Sequence, residues 1–178
     1  MKINKSELPK NSEQWASIDG YCNYEVSWWG RVRNNKTGRI LKPGIGSHGY
    51  LLVCLSKEGK SKTPCIHKLV ADAWVENTEN KRCIDHIDCN KHNNHYENLR
   101  AASHSENNMN TKARANKSSM YKGVYLHKQT NKYAAYFSIN GIRKHLGCFT
   151  NEREAAESYN KAALEHFGDF AKLNTFID

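Results

Sequence analysis

The N-terminal third of the chain alternates short apolar runs with turn residues, a pattern typical of β-strands. Residues 31–33 and 39–41 flank an Asn-Asn-Lys-Thr-Gly stretch of the kind that closes a hairpin. Residues 50–55 form another apolar run and predict a further strand. In residues 67–74 the spacing changes to i, i+1, i+4 and i+5, which predicts a short amphipathic helix. The apolar positions of that helix are Leu69, Val70, Ala73 and Trp74.

The C-terminal third predicts three strands followed by one helix. The strand candidates are residues 123–127, 133–139 and 143–149, and an Asn-Gly pair between the last two is a hairpin signal. An Asn-x-x-Glu capping box at residues 151–154 opens a helix that ends near residue 167, before Gly168. We expect the helix and the sheet to bury one face each. These faces are Ala155, Ala156, Tyr159, Ala162 and Ala163 on the helix, and Val124, Ala135, Phe137, Leu146 and Phe149 on the sheet.

Between these parts lies a polar segment that carries reactive side chains. Asp85 and His86 directly precede an Asn-rich loop over residues 88–95, and a short apolar segment carrying Asn98 follows. Neighbouring residues on a strand point to opposite sides, so the acid and the imidazole can act together only if the strand ends there. The remaining polar loop residues are interpreted as turn formers. They are Asp88, Asn90, Asn93 and Asn94.

A helix after this segment adds another oxygen ligand. A Ser-x-x-Glu capping box at residues 103–106 predicts a helix from about residue 104 to 114 that carries Asn107. The Asp85 carboxylate and the Asn107 carboxamide oxygen suit Mg²⁺ or Mn²⁺, and an imidazole such as that of His86 is a base near neutral pH. One divalent ion and one base are the parts needed to hydrolyse a phosphodiester bond.

Charge points to a polyanionic partner. The chain has 27 Lys and Arg against 18 Asp and Glu, a formal net charge of +9. Residues 107–151 contain eight of the basic residues and no acid, with Tyr121, Tyr125, Tyr133 and Tyr136 among them. A solvated basic surface normally carries some acids as well, so this composition favours a nucleic-acid surface.

Composition excludes other classes of protein. The six cysteines form no Cys-x-x-Cys pair, so we expect no structural zinc. The N-terminus has no apolar segment typical of an export signal, and the longest apolar run is too short to cross a bilayer. We therefore expect a soluble cytoplasmic protein that has no membrane partner.

The polar segment resembles a known family. Residues 67–110 carry Asp-His, an Asn-rich loop, Glu-Asn-Leu-Arg and Ser-Glu-Asn in the order found in HNH endonucleases, and look most like the phage and intron-encoded homing branch. The resemblance implies one metal ion held by a ββα motif. By role, the matching residues are Asp85 and Asn107 as metal ligands, with His104 as the alternative to Asn107, His86 as general base, and Asn98 as the residue that orients His86 and holds the hairpin.

The N-terminal segment resembles a second type of module. Residues 13–66 are similar to the nuclease-associated modular domain found before such cores, through Gly-Tyr at 20–21, Tyr-Glu-Val-Ser at 24–27, Gly-Arg-Val-Arg at 30–33 and Gly-Tyr-Leu at 49–51. The resemblance implies contact with DNA, although each basic residue could equally be a solvated surface charge. The candidate phosphate contacts are Arg31, Arg33, Arg39 and Lys42.

The C-terminal segment resembles a third type of module. Residues 121–176 are similar to the Apetala-type, or ethylene-response-factor, DNA-binding domain, through Tyr-Lys-Gly-Val-Tyr at 121–125, Leu-Gly-x-Phe at 146–149 and Glu-Ala-Ala at 154–156. The resemblance implies that one face of the sheet lies in the major groove. The implied contacts are Lys122, Tyr125, His127, Tyr136, Ser138, Arg143 and His145.

The sequence therefore predicts an α+β chain in four parts. These are a β module over residues 1–66, a ββα-metal nuclease core over 67–114, a linker over 115–120 and a DNA-binding domain over 121–178. We expect a monomeric enzyme that nicks double-stranded DNA with one Mg²⁺ or Mn²⁺ and has no small-molecule substrate. The alternatives are a sequence-specific DNA-binding regulator that retains an inactive nuclease core, and a protein that binds structured RNA.

Overall fold

The computed structural model describes residues 12–113, 118–139 and 141–176. The chain forms two compact units, one up to Ser103 and one from His104 onwards. Both combine small antiparallel sheets with short helices, so the predicted α+β class is confirmed. Among the described residues, no helix is both long and apolar enough to span a membrane.

The first unit begins with a three-stranded antiparallel sheet and two small hairpins. The sheet has the order β1-β2-β3, and in the hairpins β4 pairs with β5 and β6 with β7. The strands are β1 (Trp15–Ile18), β2 (Tyr21–Ser27), β3 (Val32–Asn34), β4 (Gly44–Ile45), β5 (Leu51–Leu52), β6 (Leu55–Lys57) and β7 (Lys60–Lys62).

Two sequence predictions for this region differ in outcome. The turn over residues 34–38 is present, because the Asn34 side chain accepts hydrogen bonds from the backbone N–H groups of Lys36 and Thr37. The prediction of one continuous strand over residues 50–55 is wrong. The chain breaks between β5 and β6, where the Val53 N–H turns to the carbonyl of Pro64 at 3.1 Å.

The second half of the first unit contains the predicted helix and a two-stranded hairpin. Helix α1 (Ile66–Trp74) agrees with the helix predicted from the apolar spacing. Strand β8 (Cys83–His86) pairs antiparallel with β9 (Leu99–Ala102), so that Asp85 lies opposite Arg100 and His86 opposite Leu99. A 3-10 turn (Tyr96–Asn98) leads into β9.

One hydrophobic core serves the whole first unit. The Trp28 ring stacks on Tyr96 with centroids 5.5 Å apart and packs against Trp74 at 6.1 Å. The segments on either side of residue 66 therefore share a core. Its buried members are Ile18, Val26, Trp28, Val32, Val53 and Leu55 before that residue, and Ile66, Val70, Ala71, Trp74, Val75 and Leu99 from it onwards.

The second unit begins with a helix that is shorter than predicted. Helix α2 (His104–Met109) has six residues, so the prediction of a helix to about residue 114 is wrong. The N–H and the Oγ1 of Thr111 both bond to the Asn108 carbonyl, at 3.4 and 2.8 Å, and this turn ends the helix. Half of the predicted linker, residues 115–117, lies outside the described residues, as does Asn140 of the predicted hairpin turn.

The remaining elements of the second unit agree with the predicted order. Strands β10 (Val124–His127), β11 (Lys132–Ile139) and β12 (Ile142–Phe149) form one antiparallel sheet, and α3 (Glu152–Phe167) packs against it. The Asn151 side chain caps α3 by accepting from the Arg153 N–H at 2.8 Å. The predicted apolar faces are confirmed, since α3 and the sheet bury Ala155, Ala156, Tyr159, Ala162, Ala163, Val124, Ala135 and Phe137, with Leu146 and Phe149 partly buried against them.

Candidate active site and nucleic-acid surfaces

The predicted acid and base lie where a strand ends. Asp85 and His86 are the last two residues of β8, as the sequence required, and each is 5% exposed. The backbone leaves the strand at once. The Ile87 N–H bonds to the Asn98 carbonyl at 2.9 Å, and the Cys89 N–H closes a turn onto the His86 carbonyl at 2.8 Å.

The described neighbours of the His86 ring include Asn94, His67 and Tyr50. Its Nε2 is hydrogen-bonded to Asn94 Oδ1 at 2.9 Å. The His67 ring meets it edge-on with centroids 5.2 Å apart, and the Tyr50 ring lies at 6.0 Å. The sequence predicted a turn former at Asn94 and no catalytic role for Tyr50 or for His67, which was expected to cap or pack a helix. The two rings come from other parts of the chain, so no local pattern could have identified them.

Asn98 holds the loop rather than the imidazole. Its Nδ2 donates to Asp88 Oδ1 at 2.9 Å and to the Asn93 carbonyl at 2.8 Å, and its Oδ1 accepts from the Asp88 N–H at 3.0 Å. The predicted hairpin-holding role matches these bonds. The predicted contact with the ring of His86 is made by Asn94 instead, because both donors of the Asn98 carboxamide are used within the loop.

Asp88 is the acceptor around which the loop is built. Burial opposes its ionisation, yet hydrogen bonds from Asn93, from the Asn90 N–H and from Asn98 outweigh burial and lower the pKa of the Asp88 carboxyl. A carboxylate with several donors is strongly held in the charged form. This arrangement supports its predicted role as a loop former.

Asp85 forms a buried ion pair. Arg100 approaches its Oδ2 through Nε at 2.9 Å and through Nη2 at 2.8 Å, and the two side chains are 6% and 18% exposed for Asp85 and Arg100 respectively. Arg100 was not among the site residues predicted from the sequence. Its position directly opposite Asp85 in the β8–β9 pair is a signal that the hairpin register could have provided.

The donor set at Asp85 fits a hard divalent cation. A carboxylate is a preferred ligand of Mg²⁺ and Mn²⁺. Within residues 12–113, 118–139 and 141–176, no group of three or more His, Cys, Asp or Glu side chains could hold a metal ion. Asn107, half-buried, and His104, exposed, both lie on α2 of the second unit, and their role as ligands stays a prediction.

His67 is a buried imidazole that is held neutral. It is 4% exposed, and its Nδ1 has no hydrogen-bond partner among the described residues. Burial, with smaller contributions from His86 and Lys68, lowers the pKa of His67 from 6.5 to about 4. The side chain is therefore uncharged at neutral pH and contacts His86 as an aromatic ring.

The neutral state of His67 predicts a pH-dependent stability. Its pKa is lower in the folded than in the unfolded chain, so its contribution is complete above about pH 6.5 and is lost as the pH falls towards 4. The loss should total roughly 3 kcal/mol. Urea unfolding at a series of pH values measures it. His67→Phe keeps the ring but cannot be protonated, so it should show a flatter profile, and identical profiles for both proteins would refute the assignment.

Comparisons with known proteins identify two sequence motifs, and the second of them extends past Ser103 through helix α2. Residues 13–56 match the NUMOD4 motif model, and residues 77–109 match the HNH endonuclease model. The chain carries an HNH endonuclease motif behind a NUMOD4 motif. The HNH motif contains Asp85, His86, Asn98 and Asn107, and the NUMOD4 motif contains Arg31, Arg33, Arg39 and Lys42.

Curated relatives share these motifs over part of their length. DNA endonuclease I-HmuI of Bacillus phage SP01 is 43% identical over 88 residues, which is 49% of this chain and 51% of that protein. The uncharacterized HNH endonuclease L245 of Acanthamoeba polyphaga mimivirus is 37% identical over 93 residues, 52% of this chain and 28% of that protein. H-N-H endonuclease F-TflII of Escherichia phage T5 is 32% identical over 89 residues, 49% of this chain and 46% of that protein. The chain spans about half the length, or less, of these relatives.

A solved structure covers more of the chain. It is the HNH homing endonuclease I-HmuI, described for DNA binding and cleavage, with a TM-score of 0.53 and 29% sequence identity. The similarity covers 86% of this chain and 91% of that one. The structural similarity therefore extends beyond the NUMOD4 and HNH motifs.

The candidate DNA contacts in the NUMOD4 motif fall into two kinds. Arg31 and Arg33 form ion pairs with Glu13 and Glu25, and Arg33 lies over the Trp15 ring with its guanidinium 4.1 Å from the centroid. These partners already neutralise both guanidinium groups. The other two candidates, Arg39 and Lys42, are exposed and better placed for phosphates.

The candidate contacts in the second unit form a compact group on the sheet. The Arg143 guanidinium lies 4.0 Å from the Tyr136 ring centroid and 4.5 Å from that of Tyr125, and the His145 ring lies 4.8 Å from Tyr136. The structure thus brings four of the seven predicted residues together, and the other sheet residues, His127 and Ser138, are exposed nearby in the same strands. Lys122 differs, because its Nζ donates to the Met109 carbonyl.

Proposed function

We propose that this chain is a divalent-metal-dependent HNH endonuclease of the homing type that nicks double-stranded DNA by hydrolysis. The observation that carries the proposal is the buried Asp85–His86 pair at the end of β8, inside the segment that matches the HNH endonuclease model. The fold similarity to I-HmuI, a structure described for DNA binding and cleavage, supports DNA as the substrate.

In the proposed reaction, these side chains act in the following steps. His86 takes a proton from a water molecule whose oxygen forms a bond to phosphorus, and the bond from phosphorus to the 3′ oxygen breaks. The leaving oxygen takes a proton from solvent. Asp85, together with Asn107, would hold the metal ion, which supplies positive charge at the phosphate when bound. Asn98 keeps the loop that follows His86 in one conformation.

DNA binding is proposed to involve both units. The net charge of +9 favours a polyanion. We propose that the sheet of the second unit, with its Tyr125, Tyr136, Arg143 and His145 group, is an Apetala-type DNA-reading face, and that Arg39 and Lys42 contact phosphates. Because the chain has a single Asp-His pair, we propose that a monomer cuts one strand at a time.

A DNA-binding protein with an inactive core is the second candidate. The observation in its favour is Arg100, because its guanidinium already neutralises the carboxylate of Asp85. Such a protein would bind DNA without hydrolysing it. The two candidates therefore differ in one measurable outcome.

Removing the metal tests the proposal. A pool of supercoiled plasmids with random inserts is incubated with the full chain and Mg²⁺ or Mn²⁺, and nicked circles are isolated, sequenced and retested singly. We expect nicked circles with either ion and none with EDTA. A chain that retards the plasmid pool on a gel but nicks none of it with either ion contradicts the endonuclease and supports the second candidate.

A further inference from the structure

The contact between His86 and Asn94 bears on which nitrogen of the neutral imidazole carries the proton. In a neutral imidazole one nitrogen is a donor and the other has a lone pair, and the partner of one nitrogen sets the state of both. Asn94 presents its Oδ1 to Nε2 at 2.9 Å. A carboxamide oxygen can only accept, so a hydrogen bond in this orientation requires the hydrogen on Nε2 and leaves the lone pair on Nδ1.

Asn94 is firmly held behind the ring. It is 4% exposed, and Gly30 lies directly against it, since a Cβ at Gly30 would be 2.7 Å from Asn94 Cβ. Gly30 has φ +82°, a conformation that glycine adopts readily. Two residues further on, the Tyr96 N–H donates to the Trp28 carbonyl at 2.8 Å. The NUMOD4 motif therefore fixes the backbone that carries Asn94.

Stability does not explain why an amide occupies this position. Asn94 Nδ2 is buried and has no hydrogen-bond partner among the described residues. A buried donor without a partner is unfavourable, and an apolar side chain of similar size would avoid that cost. Within the part of the chain that the structure describes, the Asn94 side chain bonds to His86. We therefore infer that the Asn94 amide has a role in setting the tautomer of the His86 imidazole.

We propose that Asn94 is a positioning residue that fixes His86 as the Nε2–H tautomer, so that Nδ1 takes the proton from the attacking water. The catalytic consequence rests on the proposed endonuclease function, whereas the tautomer does not. Asn98, whose side chain bonds the loop, and Asn94, whose side chain bonds the ring, thus have separate tasks in one hairpin.

Nitrogen-15 NMR of the full-length, metal-free protein tests the tautomer directly. Long-range correlations under alkaline conditions distinguish Nε2–H from Nδ1–H. We expect the Nε2–H form of His86 in the native chain, a mixture of both forms in Asn94→Leu, and the Nε2–H form again in Asn94→Asp, whose carboxylate can accept the same hydrogen bond. The matched control is Asn77→Ala, which removes a carboxamide that bonds the backbone of Lys81 and should leave His86 unchanged.

Activity provides an independent measurement. Asn94→Leu should lower kcat for nicking about 10- to 100-fold with little change in KM, and Asn94→Asp should recover part of the loss. A native chain with the Nδ1–H tautomer, or an Asn94→Leu chain with an unchanged tautomer, overturns the proposal. The native measurement decides the matter even if Asn94→Leu does not fold. A chain that shows the expected tautomers but nicks no DNA leaves this inference in place and refutes the proposed function.

Discussion

Replacing His86 with alanine is expected to lower the rate of DNA nicking by two to four orders of magnitude, about the contribution of a general base. The reason is that Asp85 and His67, the titratable side chains that the structure describes beside His86 or in contact with its ring, are poorly suited to accept the water proton. Asp85 is already bonded to Arg100 through Oδ2, and His67 is a buried ring with a pKa of about 4. Single-turnover nicking of a selected plasmid at saturating enzyme and Mg²⁺ measures the chemical step.

Two controls distinguish the loss of the general base from misfolding and from weaker DNA binding. His92→Ala is the matched control, since His92 is an exposed imidazole of the same hairpin and its removal should leave the rate unchanged. Gel retardation should show similar DNA affinity for the native chain and both variants. Nicking by His86→Ala within threefold of the native rate would show that another group is the base.

The sequence predicted the parts of the site that depend on neighbours in the chain. Asp85 and His86 precede turn-forming residues, and this local pattern correctly placed the end of β8. The spacing of apolar residues predicted α1 and α3, because helix periodicity is also a local property. The hairpin turn at residues 34–38 followed from its turn chemistry in the same way.

The features that the sequence did not predict depend on contacts across the fold. Tyr50 and His67 reach His86 only because β5, α1 and β8 share one core. Asn94 was one of several similar carboxamides in a polar loop, and only the folded hairpin distinguishes it from Asn98. The predicted helix to residue 114 was wrong because an Asn-rich segment with few apolar residues cannot oppose the turn at Thr111.

Replacing Arg100 with methionine is expected to destabilise the first unit by about 3–5 kcal/mol. The change keeps much of the side-chain volume but leaves the Asp85 carboxylate, 6% exposed, without its guanidinium partner. A buried charge that loses its partner costs far more than the intact pair contributes. Urea unfolding followed by tryptophan fluorescence measures the effect specifically, since all four tryptophans, Trp15, Trp28, Trp29 and Trp74, lie in the first unit.

Two comparisons assign the loss to the buried charge. Arg33→Met breaks the Arg33–Glu25 pair, whose side chains are 34% and 21% exposed, and should cost about 1 kcal/mol or less because solvent screens that pair. Adding Asp85→Asn to Arg100→Met removes the charge and should restore most of the stability. If the double variant is as unstable as Arg100→Met alone, packing of Arg100 rather than its charge holds the hairpin. If Arg100→Met costs no more than Arg33→Met, the ion pair is not essential to the fold, and Asp85 is stable at the end of β8 without a neighbouring cation.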